Sequence, residues 1–268
     1  MITSFQYAQN IKVAIGDEHV FNTESDWKKF EAKVLQTLLE IMKYNWTGYG
    51  VIQSIREIGK PIFITPTRTQ GNTCAEDYRT TPGWNGGIRV AIAPSFMDGV
   101  NKGPGSSPDE VLLHELIHAF SIISGSYQRG TILMQQFDYH TIEEFVAIVL
   151  TNIYISAKKG TQSLRKDHRG FTALSSSLID NEQFLLFKNN DRNPYPHLSN
   201  IKELTERGEK AKLCRQFVRH DGGAFNPVNF YLNHKQRLDS HFQPMDAPDL
   251  DPALQKLLRD SEKALKNR

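Results

Sequence analysis

Residues 107–121 read SPDEVLLHELIHAFS, and within them His114-Glu115-Leu116-Ile117-His118 spells HExxH. On a helix, positions i and i+4 share one face a turn apart, so both imidazoles can bind a single ion. The glutamate that follows the first histidine can lean over the same ion as a general base. The local signals for a helix agree with one another. Ser107 reads as the N-cap, Pro108 suits the first turn where its missing N–H costs nothing, and Glu110 closes a capping box with Ser107. Val111, Leu112, Leu116, Ile117, Ala119 and Phe120 surround the histidines, so this is a buried helix carrying a polar cluster. Two imidazoles and a carboxylate are costly to bury without a partner that satisfies them, and a zinc ion (Zn2+) is the natural one.

The rest of the composition excludes several classes. The 268 residues suffice for one sizeable domain, or for two small ones sharing a core. Lys and Arg total 32 against 30 Asp and Glu, a net charge of +2, which offers no electrostatic case for nucleic acid or a membrane surface. Cys74 and Cys214 are the two cysteines, far apart and in no CxxC spacing, so neither a disulfide framework nor a thiolate zinc site is expected. The first residues, MITSFQYAQNIKVAIGDEHV, lack a basic region leading into an apolar core, so no Sec signal peptide is read and synthesis in the cytoplasm is expected. No apolar run approaches the length of a membrane span.

Along the chain, residues 3–15 alternate weakly and suggest one or two short strands. Trp27 to Tyr44 has helical spacing, Thr47-Gly48-Tyr49-Gly50 reads as a break, and Val51 to Ile58 as a short second helix. Ile62 to Ile64 and Ile88 to Ala93 read as strands, separated by a turn-rich stretch. The glycines of Asp98 to Ser107 match no phosphate-binding pattern, so that loop reads as a connector. After a stop at Ser124-Gly125-Ser126, Ile142 to Ala157 is apolar and helical. Leu174 to Lys188, Ile201 to Phe217 and Pro252 to Asn267 are expected as further helices.

A catalytic zinc needs a third protein ligand and an open position. A histidine six residues after His118, with glycine at the third, is one solution, but those positions are Ser124 and Ser121. A glutamate on the next helix is the other, and Glu143 and Glu144 open that helix. Acids in a first turn also simply oppose the helix dipole, which is the ordinary role of one of the pair.

The stretches HELIHAFSIISGS, FDYHTIEEFVAIVLTNIY and LRKDHRGF resemble the zincin metallopeptidases of bacterial effectors and polymorphic toxins. The similarity is to NleD-type type III effector proteases and to toxin domains delivered by type VI secretion. In gluzincins with an E-F-x-A helix the ligand is the glutamate just before the phenylalanine. The resemblance thus implies Glu144, with Glu143 as the fallback. It covers about residues 35–230, taken as the catalytic core of a single domain over 1–268, and implies an α+β fold, with a small, mostly antiparallel sheet packed on a helical body that carries the HExxH helix. The edge strand near that helix, taken as Ile88 to Ala93, would bind a substrate chain by strand addition.

Other residues are weighed beside these. Tyr139 is placed to reach an oxyanion, as lethal-factor-like sites use a tyrosine upstream of the ligand glutamate. His140 and Asp138 are candidates for orienting a ligand imidazole, Asp138 equally for capping a helix. His168 is a candidate donor, more simply read as a surface histidine. His19, His197, His220, His234 and His241 have no ligand spacing and read as ordinary.

The resulting expectation is a zinc metallopeptidase in which Glu115 handles the proton. It would act on a protein in a target cell after delivery by a specialised secretion system, with an immunity protein or secretion component as a further partner. Two alternatives stand beside it: a zincin-fold binding module without turnover, and a zinc hydrolase of a small amide or ester.

Overall fold

The computed structural model describes residues 4–6, 10–15, 20–43, 45–68, 74–77, 87–99, 103–128, 139, 141–167, 171–188 and 194–242. Two antiparallel helices lie at its centre. The HExxH stretch forms α4 (Pro108–Ile123), and nearly every one of its side chains is buried. The capping box forms as the sequence requires, the Ser107 N–H donating to Glu110 Oε2 at 3.3 Å. The next long helix, α5 (Ile142–Lys159), is buried from Phe145 through Ser156. Polar clamps fix the direction of the pair. Asp109 at the start of α4 accepts hydrogen bonds from Tyr154 (2.6 Å) and Lys158 (2.5 Å) near the end of α5, and Glu110 pairs with Lys159 at 2.6 Å.

Helices α1 (Glu24–Lys43) and α2 (Trp46–Ile58) and the short α3 (Pro94–Met97) pack on α4. Thr47 to Gly50, read as a break, is the first turn of α2; the interruption falls one step earlier, between Lys43 and Trp46. Its glycines serve close approach rather than a turn. A Cβ at Gly50 would lie 2.5 Å from Phe217, and one at Gly48 would run into the Ile41 carbonyl oxygen. The α2 N-terminus is capped from far away, Asp221 accepting from the Trp46 and Thr47 N–H groups at 2.8 Å each.

The sheet corrects the expected antiparallel arrangement. Its order is β1 (Ser4–Gln6), β2 (Ile11–Ala14), β3 (Ile62–Pro66), β5 (Ile88–Ile92), β4 (Cys74–Asp77). The central strands β2, β3 and β5 run parallel, and only the flanking strands β1 and β4 pair antiparallel. The reason lies in the connections: α1 and α2 intervene between β2 and β3 and supply the crossover that a parallel pair requires. Strand β3 is buried at every position and β5 at all but Arg89, which is how parallel strands read, as apolar runs without alternation. Ile88 to Ile92 is therefore an interior strand, not an edge, and β4 takes the edge beside it. The mixed sheet and helical body together make an α+β fold.

Beyond α5 the expected long helices are divided. Leu174 to Lys188 resolves into a 3-10 turn (Ser176–Leu178) and α6 (Asn181–Leu185). Ile201 to Phe217 is split between α7 (Pro196–Glu206) and α8 (Gly208–Gln216), where Gly208 adopts φ of 72°. That conformation is open to glycine at little cost and interrupts the helix. The chain divides into two compact units, Met1–Phe230 and Tyr231–Arg268. In the second, Tyr231 donates to Asp239 at 2.9 Å and accepts from Lys235 at 3.0 Å. The expected helix Pro252 to Asn267 lies outside the described residues. No helix among the described residues is long and apolar enough to cross a membrane.

Candidate metal centre

Helix α4 presents His114 and His118 one turn apart, their ring planes at 83° and their Nε2 atoms 3.2 Å from each other. Glu144, in the first turn of α5, meets both: Oε2 is 3.3 Å from His114 Nε2 and Oε1 is 3.4 Å from His118 Nε2. The turn that carries Glu144 is fixed by its N-cap, the Thr141 hydroxyl accepting the Glu144 N–H at 3.2 Å. Both histidines are buried.

These separations test the fit of a metal. Ligand atoms about 2.0–2.1 Å from a tetrahedral zinc lie about 3.3–3.4 Å from one another. The two Nε2 atoms, 3.2 Å apart, have that spacing, and each faces one oxygen of the Glu144 carboxylate, at 3.3 and 3.4 Å, in one cluster. A cation at its centre would satisfy two imidazole lone pairs and a carboxylate at once, so the donor set suits a metal. His114, His118 and Glu144 are the group among the described residues that could hold one.

The electrostatics follow from the same contacts. Burial holds the His114 pKa down at about 3, against the pull of Glu144, so its imidazole is neutral and available as a ligand. Burial acts the same way on His118, but Glu144, Glu115 and Glu143 outweigh it and raise that pKa. For Glu144 burial works upward, yet its hydrogen bonds to the two histidines hold it well below the usual carboxylate range. Glu115 is buried beside them and contributes its charge to the field at His118.

Glu143, the fallback ligand, points elsewhere and is fully buried. Its carboxylate takes the Gln128 N–H at 2.7 Å and pairs with Lys210, which also donates to the Ser126 carbonyl at 2.9 Å. It is thus the centre of a buried ion pair that ties α5, α8 and the segment leaving α4, and not a surface acid opposing a dipole. Burial draws the Lys210 pKa below the usual lysine range while Glu143 opposes.

Tyr139 is buried, edge-on to Phe145 with ring centroids 5.4 Å apart, and lies in the field of Arg165 and Asp167. Asp138, His140, His168 and His19 fall outside the described residues. His197, read as ordinary, is fully buried and stacked on Phe184 at 4.2 Å, its Nδ1 2.8 Å from the Phe184 carbonyl oxygen. Burial lowers its pKa to about 4, so it is a neutral core residue. His220 lies against Trp46, ring centroids 5.6 Å apart. Sequence reasoning missed Lys210 and Arg165. Nothing in the local pattern marks Lys210, whereas Arg165 sits inside the LRKDHRGF stretch already singled out.

No curated protein and no solved structure matches this chain. A family model does: Peptidase_M91, described as effector protein, over residues 18–152. That half of the chain runs from before α1 through most of α5, and so contains His114, Glu115, His118 and Glu144. The chain belongs to Peptidase_M91, a bacterial effector metallopeptidase family.

Proposed function

We propose that this protein is a zinc-dependent endopeptidase with a zincin-type site, secreted as an effector and cutting a protein of the target cell. One observation carries the reading: His114, His118 and Glu144 converge, their ligand atoms all within 4.8 Å of one another, while Glu115 projects from the same helix. His114 and His118 hold the ion from α4, and Glu144 completes the set from α5. Zinc, when bound, supplies a Lewis acid that polarises the scissile carbonyl and makes water more acidic. Glu115 points about 100° away from His114 on the helix, so it is a base rather than a ligand. Its carboxylate takes the proton from the attacking water and returns it to the departing amine.

Strand β4 is an edge of the sheet and packs near α4, so an extended peptide would add to it there and lie across the site. The family supports a protein made for export; the delivery route and an immunity partner belong to this reading as expectations.

Glu115→Gln tests the claim, because it keeps the shape and removes the basic oxygen. Folding and zinc content should stay as in the wild type, with casein hydrolysis down by about 10²–10⁴. Chelation of the wild type should abolish hydrolysis and added zinc restore it. A fully active Glu115→Gln protein would falsify the role of base.

A further inference from the structure

A cavity of about 500 Å³ lies where α4 ends and α5 begins, closed on its far side by the turn between α7 and α8. Its size is that of a site for a small molecule or a large side chain. The walls are held by the buried ionic knot. Lys210 of α8 donates to the Ser126 carbonyl at 2.9 Å and pairs with Glu143 of α5, which also takes the Gln128 N–H at 2.7 Å. Three separate stretches of chain are thus tied together around the space, so it is formed before anything enters it.

Floor and rim differ in chemistry. Val146 and Leu204 are buried and apolar, and the stem of Lys210 lies beside them with its ammonium already matched by Glu143. The rim carries Glu203, Arg207 and Glu209, all exposed, two carboxylates against one guanidinium. The only printed neighbour of the Glu203 carboxylate is a neutral donor, Gln128 Nε2 at 2.7 Å, which leaves its charge in place. Glu209 has Lys212 at 3.8 Å, an exposed pair of little strength, and that lysine is shared with Glu57 at 3.5 Å. Tyr127, 42% exposed, adds an aromatic ring at the opening, a surface that attracts cations.

An apolar floor under a net negative rim suits a side chain with a long aliphatic stem and a charged end, which is how lysine and arginine bury themselves. Ser124 comes six residues after His118, about 9 Å along the helix axis, so the cavity is close to the metal triad. It is not part of the same cleft. Val146 lies about 200° from Glu144 around α5, on another side of the helix.

We propose that this cavity is a substrate exosite that takes a lysine or arginine side chain of the protein to be cut. Its role toward a substrate rests on the peptidase reading above, whereas its preference for a basic side chain does not.

The test uses the full zinc-loaded chain and two fluorescein-labelled peptides, tetraarginine and tetraglutamate, followed by fluorescence anisotropy. The wild type should bind tetraarginine and not tetraglutamate. Glu203→Gln with Glu209→Gln should weaken tetraarginine about tenfold at an unchanged melting temperature, since both acids are exposed. Glu24→Gln with Glu31→Gln removes the same charge from α1 and should bind as the wild type does. In casein hydrolysis the Glu203/Glu209 variant should show a raised KM with kcat and zinc content unchanged. Equal tetraarginine binding by the two double variants, tighter binding of tetraglutamate, or an unchanged casein KM would overturn the proposal. A wild type that binds tetraarginine through Glu203 and Glu209 yet never cuts casein would remove the peptidase reading, and the substrate role with it, while the preference for a basic side chain stood.

Discussion

Glu143 and Glu144 are neighbours in the chain, about 100° apart around α5, and they belong to two different regions of the molecule. Glu144 faces α4 and sets one carboxylate oxygen against each of His114 and His118. Glu143 faces the other way, where Lys210, the Gln128 N–H and the Ser126 carbonyl form a buried ionic knot. The same residue type on the same turn thus joins a cluster that could hold a metal on one side and is a strut on the other. What separates them is the partner that burial supplies. A carboxylate against two imidazole lone pairs calls for a cation from solution, whereas one against an ammonium group already has its own.

The largest effect that would expose this division is on folding. Glu143→Ala leaves the Lys210 ammonium buried and uncompensated, and should cost about 3–5 kcal/mol of unfolding free energy in urea titrations. The protein that remains folded should still bind one zinc. A stability loss under about 1 kcal/mol would mean that the knot is not what holds α5 and α8 together.

Glu144→Ala should do the opposite. Zinc affinity, measured by competition with a chelating dye, should fall more than about 100-fold, since even partners that merely orient a ligand cost 10–100-fold when removed. Stability of the metal-free protein should change far less than in Glu143→Ala. Reversal of the two results would move the ligand to Glu143.

The paired substitution Glu143→Met with Lys210→Met sharpens the same point. Replacing a whole buried ion pair by apolar residues of similar volume is often neutral or stabilising, so the double variant should recover most of what Glu143→Ala loses. Zinc content should be unchanged. Failure of the double variant to melt above Glu143→Ala would show that the hydrogen bonds to Ser126 and Gln128, rather than the charge pair, carry the stability.

The smallest effect lies where the two regions meet. Thr141 caps the turn that carries both glutamates, and Thr141→Ala should cost about 1 kcal/mol. Zinc binding should weaken with it, because the cap fixes the direction of Glu144. Thermal melting with and without zinc separates the two contributions, and an unaltered zinc-induced shift would limit the cap to helix stability.

The HExxH helix was legible because its determinants are local. The Ser107 cap, Pro108, Glu110 and the apolar positions around His114 and His118 all sit within a few turns of one another. The strands at 62–66 and 88–92 were legible as apolar runs, and their lack of alternation is the mark of parallel pairing. Gly48 and Gly50 misled for the converse reason. Their role is close approach to Ile41 and Phe217, and the second of those partners is contributed by a distant part of the chain.

The primary structure alone placed two imidazoles and a carboxylate on one buried helix, since 3.6 residues per turn brings His114 and His118 to one face. It also narrowed the third ligand to an acidic pair. Which of the pair faces the histidines follows from packing in three dimensions, because it depends on how α5 is rotated against α4. The rotation is set by contacts remote in sequence: Asp109 with Tyr154 and Lys158, Glu110 with Lys159, and Glu143 with Lys210. Arg165 is buried by the same kind of contact, against Asn152 of α5 and Gly105 ahead of α4.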